Sequence, residues 1–162
     1  MATLLDRLRT FVSGLAEEET DPKVMLTPRL AVATLMVRVM QADDRELPEE
    51  REAIETLLAE TYGLDAGAAR ALLAKGSNAS EETTDLYEPT ALLRQNLPMD
   101  DRVSLVGLLF EIAYADGELH VDEDTVVKTI SDRMGVDPRD RVLARREVAE
   151  RTGGNVIATS EN

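Results

Sequence analysis

The chain has 162 residues, enough for one domain or two small units sharing a core. Its formal net charge is −14, with 32 Asp and Glu against 18 Lys and Arg, which argues against a nucleic-acid backbone as partner and favours cations or a basic protein surface. Cysteine is absent, so disulfides, thiolate metal sites and thiol nucleophiles are excluded, and with 3% aromatics the core must be built from Leu, Val, Ile, Ala and Met.

Residues 1–24 open with a helical apolar stripe of Leu4, Leu5, Leu8, Phe11, Val12 and Leu15, followed by an acidic link that Pro22 interrupts. Arg7 and Arg9 break any signal-peptide core, and no apolar run approaches the ~20 residues of a membrane span. A cytoplasmic location is the expectation. Thr27 and Pro28 suit an N-cap and first helical position, and the helix they open is apolar on most sides, hence central. Pro48 starts the next helix and Gly63 ends it. Helical spacing resumes at 65–75, then "KGSNASEETT" is ambiguous because Gly76, Ser77 and Asn78 are poor helix formers. Pro89 starts a short helix that Pro98 ends, and 100–115 is a second strongly apolar helix. A helix from about Val121 to Met134 closes at Gly135, and Pro138 begins the last one, with residues 153–162 read as a flexible tail. No strand alternation emerges, so the class is all-α.

The chain repeats itself. Shifted by 73 positions, Leu35–Asp43 lies over Leu108–Asp116; shifted by 72, Glu46-Leu47 matches Glu118-Leu119 and Gly63-Leu64-Asp65 matches Gly135-Val136-Asp137. Each half reads as apolar helix, acidic bend, amphipathic helix, Gly, Asp and helix. A pseudo-two-fold bundle follows, with the one-residue gap placed near Asp44-Arg45 or further along the chain.

Two readings of the acidic bends stay open. Carboxylates in a helix's first turn meet free N–H groups and a partial positive charge, each worth roughly 0.3–1 kcal/mol with no ligand present. Alternatively, Asp116, Glu118 and Glu123 in one bend, and Asp43, Glu46 and Glu50 in the other, supply the oxygen donors that calcium or magnesium requires. The spacing is not that of an EF-hand, which needs Gly and Glu where this chain has Val121 and Val127. Asp100 and Asp101 become candidates only if the fold brings them near. His120, the single histidine, is a weak zinc ligand on its own. No nucleophilic triad and no phosphate-cradling glycine loop stands out, so an enzyme is not expected.

At "FEIAYADGELHVDED", with "DLYEPTALLRQNL" before it, the chain resembles the TerB-like tellurite-resistance family, in particular its short single-domain bacterial branch. The resemblance implies a domain over residues 25–152 of about seven helices with internal pseudosymmetry. It further implies a helix continuing through "KGSNASEETT", cation binding by the acidic bends, and a role in metal or metalloid stress. Set against this is an acidic scaffold that recruits a basic protein, or pairs with its own copy, without metal.

Overall fold

The computed structural model describes residues 26–43, 45–82, 85–153 and 155–156. The expected N-terminal helix lies outside them. Seven helices follow one another: α1 Pro28–Met40, α2 Pro48–Tyr62, α3 Ala66–Glu82, α4 Tyr87–Asn96, α5 Met99–Ala113, α6 Val121–Arg133 and α7 Pro138–Thr152. The protein is an all-α bundle, and no described helix is long and apolar enough to cross a membrane.

The two apolar helices are the centre of the bundle. In α1, Leu30 through Val37 are buried without a break, followed by Val39 and Met40. In α5, Leu105, Leu109, Phe110 and Ile112 are fully enclosed. Around this pair, α2 and α3 accompany α1 as α6 and α7 accompany α5, and α4 links the halves. Local chemistry sets the boundaries. Thr27 Oγ1 accepts from Leu30 N at 3.2 Å, Asp65 Oδ1 accepts from Ala68 N at 2.8 Å, and Asp137 Oδ1 accepts from Arg139 N at 2.8 Å. Gly63 and Gly135, at φ 65° and 73°, take the left-handed turn that ends each amphipathic helix. Arg102 then fastens the end of α6, donating to Met134 O at 2.7 Å and to Leu97 O at 3.0 Å.

Helix α3 runs straight through the ambiguous "KGSNASEE" stretch. Gly76 explains why: a Cβ there would stand 3.0 Å from the backbone carbon and oxygen of Ala33, so the absent side chain lets α3 lie directly against α1. Tertiary packing outweighs the poor local propensity.

One feature departs from a purely helical reading. Glu118–Leu119 pairs in parallel with Asn155–Val156, which stitches the end of the chain to the second acidic bend. Two residues carry no readable alternation, so this ladder leaves no signal in the sequence.

Helix-favouring substitutions at the two buried-side glycines should therefore have opposite effects. Gly76→Val should cost about 1–3 kcal/mol through overpacking against Ala33. Gly107→Ala in α5, where nothing lies within 4 Å of the added carbon, should stabilise by about 0.5–1 kcal/mol. Urea unfolding of the two variants measures both.

Candidate functional site

The two bends have equal length, which corrects the alignment taken from the sequence. Leu47 caps α2 with Pro48 at its first position, and His120 caps α6 with Val121 there. The shift of 73 thus continues through the bends: Asp43 corresponds to Asp116, Arg45 to Glu118, Leu47 to His120 and Glu50 to Glu123. The one-residue difference falls later, within the 15-residue α2 and 13-residue α6. Glu46 is the counterpart of Leu119, not of Glu118.

Both bends are built by the same contacts. Asp43 Oδ1 accepts from Arg45 N at 3.1 Å, and Asp116 Oδ1 accepts from Glu118 N at 3.2 Å, an aspartate turn in each half. Each turn delivers the chain into a helix whose third residue is a glutamate. Glu123 Oε1 accepts from His120 N at 3.1 Å, reaching back over the helix start. The matching approach of Leu47 N to Glu50 is looser and does not reach hydrogen-bond geometry.

These two glutamates point inward and meet. Both are 0% exposed, and their carboxyl groups face each other across the pseudo-axis closely enough to perturb one another. Two buried carboxyls in that position favour keeping a proton on one of them. Burial, first of all, pushes Glu123 up to about 10, and the hydrogen bond to Glu50 and the nearby charges of Glu50 and Asp43 push in the same direction. Burial also raises Glu50, as do Asp43 and Asp116, while the hydrogen bond from Glu123 works against them. Glu50 Oε1 and Oε2 and Glu123 Oε2 are buried with no donor, and so is Asp43 Oδ2.

Above the pair lie Asp43 and Asp116, with side chains 10% and 17% exposed. Over them stretches a bridge between the bends: Arg45 Nε stands 3.6 Å from Asp43 Oδ2, and Arg45 Nη2 stands 3.1 Å from His120 Nε2. Arginine can only donate, so this approach is a hydrogen bond wherever His120 Nε2 carries a lone pair. His120 Nε2 also lies 3.7 Å from Asp116 Oδ2.

Of the six acidic residues singled out in the sequence, four gather here: Asp43, Glu50, Asp116 and Glu123. The other two do not. Glu46 is exposed and engaged by Arg51 at 3.0 Å and Gln41 at 3.3 Å, and Glu118 is exposed. Asp100 and Asp101 begin α5 while Asp116 follows its end, about 22 Å along the axis. A surface cavity of about 550 Å³, lined by Arg38, Gln41, Ala42, Glu46, Leu86 and Val126, opens beside the first bend. Among the described residues, no group of three or more His, Asp or Glu side chains is already arranged to hold a metal ion. The donor chemistry nevertheless suits a hard cation: buried, unsatisfied carboxylate oxygens from both halves, with two further carboxylates beside them.

The family model for the tellurite resistance protein TerB matches residues 29–146, most of the chain. The chain belongs to the TerB family. No curated protein and no solved structure matches it. The match spans both bends and all four gathered carboxylates, so the buried pair lies within the family domain.

The acid pair makes stability depend on pH. Glu123 keeps its proton in the folded chain and releases it on unfolding above its ordinary value of 4.5. Its contribution is therefore complete below that value and is lost as pH rises toward about 10. Without divalent ions, the wild-type protein should lose stability between pH 5 and pH 8, by at most about 1.4 kcal/mol per pH unit for one proton. Replacing both Glu50 and Glu123 with Gln should flatten that dependence and raise the melting temperature at pH 8, as thermal unfolding across a pH series would reveal.

Proposed function

We propose that this TerB domain is a non-enzymatic binder of divalent cations, and that Glu50 and Glu123 hold the ion, with Asp43 and Asp116 completing its oxygen shell. One observation carries the reading. Two carboxyl groups from pseudo-equivalent positions are fully buried face to face, with three of their four oxygens lacking any donor. A pair of glutamines or leucines at those positions would cost the fold less, because buried ionisable groups destabilise when unpaired. Retaining carboxylates there suits a task that needs their charge.

A divalent ion supplies that charge partner. It relieves the repulsion among four carboxylates and satisfies oxygens that the protein leaves without donors. All-oxygen ligation favours calcium, magnesium or manganese over zinc, which draws on nitrogen and sulfur. The family's printed name, tellurite resistance protein TerB, supports a setting of metal or metalloid stress. Affinity should be modest, since the pair must give up its proton before ligating.

Binding to the native state raises its melting temperature by mass action: ion at about 100 times the dissociation constant adds about 2.7 kcal/mol. Thermal unfolding of EDTA-treated protein at pH 7.5, with calcium, magnesium, manganese or zinc added back, is the test. The wild type should gain several degrees with a hard cation, and the Glu50→Gln, Glu123→Gln double variant should gain none. Equal melting of the wild type under all conditions would overturn the reading. It would leave the acidic surface as a docking face for a basic protein, which a salt-sensitive complex would then reveal.

A further inference from the structure

Both halves carry the aspartate turn and the buried glutamate, but the residue that closes the turn differs in charge. Where the second bend has Glu118, the first has Arg45, at the same step of the same aspartate turn. Glu118 is exposed, with its backbone N–H bound to Asp116. Arg45 instead turns across the pseudo-axis. Its guanidinium lies 3.6 Å from Asp43 Oδ2 and 3.1 Å from His120 Nε2, so it touches both bends. Beneath it stand the two largely buried aspartates and the fully buried glutamate pair.

We infer that Arg45 is a tethered competitor for the cation site, a resident positive charge that sets how strongly this chain holds a divalent ion. The inference rests on the cation reading given above and adds a residue to it. Asp43 faces a choice between two positive partners. Its Oδ2 is buried, accepts no hydrogen bond and has the guanidinium as its ion-pair partner. An ion bound by Asp43 and Glu50 would place two positive charges close together, so the guanidinium must withdraw from Asp43 as the ion enters. His120 provides the second contact, its Nε2 standing 3.1 Å from the guanidinium on the opposite bend.

Arg45 is 54% exposed in its side chain, so water screens the competition and limits it to a few-fold. Exposure also makes the residue safe to replace without unfolding the chain. Calorimetric titration of the full-length protein with the best-bound of calcium, magnesium and manganese tests the inference. Arg45→Gln should bind that ion up to about fivefold tighter than the wild type, and Arg45→Lys, which keeps the charge, should stay close to the wild type. In the wild type, the Arg45 Nε–H resonance should shift over the same ion concentrations that saturate the site. Unchanged or weaker binding by Arg45→Gln, alongside measurable wild-type binding, would overturn the competitor role and leave the cation reading standing. No binding by either protein would overturn both.

Discussion

The Glu50–Glu123 contact is the constraint on which the rest depends. Each glutamate is the third residue of a helix, and each helix is aimed by an aspartate turn that leaves a central apolar helix. The ends of α1 and α5 thus fix where the two carboxyls meet, and the enclosed core side chains of those helices leave them little room to move apart. A proton shared at the junction is the minimal way to keep two acids inside a protein. Desolvation dominates that outcome, with mutual repulsion adding to it. The arrangement keeps an unfavourable burial at the seam of the two halves, and the proposed cation would relieve it.

The surroundings of the seam are not symmetric. In the second half, Asn155–Val156 pairs with Glu118–Leu119, and Arg151 reaches Glu111 at 3.2 Å, so the end of the chain braces the bend. Arg145 adds a two-pronged grip on Asp124 at 3.2 Å, one position beyond the buried glutamate. In the first half, Gln41 links to Ser80 at 3.2 Å, and a cavity of about 550 Å³ opens beside it. The segment after the last helix thus braces the second bend, while Arg45 spans from the first bend to His120.

Much of the fold was legible because punctuation and periodicity agreed. Pro28, Pro48 and Pro138 open helices, Gly63 and Gly135 close them, and two nearly uniform apolar stretches announce the central pair. Residues 76–82 were not legible from propensity, because the reason for their helix is a close approach to Ala33 that only three dimensions display. Of the six carboxylates that the repeat singled out, four come together at one corner, yet two features escaped. Glutamates at a helix start look like solvated end charges, and nothing local separates the buried Glu50 from the exposed Glu49 beside it. Identity matching also set Glu46 against Glu118, which hid the true correspondence of Arg45 with Glu118. The two bends consequently read as two separate clusters, whereas their inward carboxyls meet as one pair.

Anomalous diffraction from crystals grown with manganese addresses the central claim most directly. The account predicts a peak between Glu50 and Glu123, about 2–2.6 Å from their carboxyl oxygens, with Asp43 or Asp116 drawn toward it. A map with no peak at the seam, or with manganese only at the exposed carboxylates of Glu46 or Glu118, would contradict it.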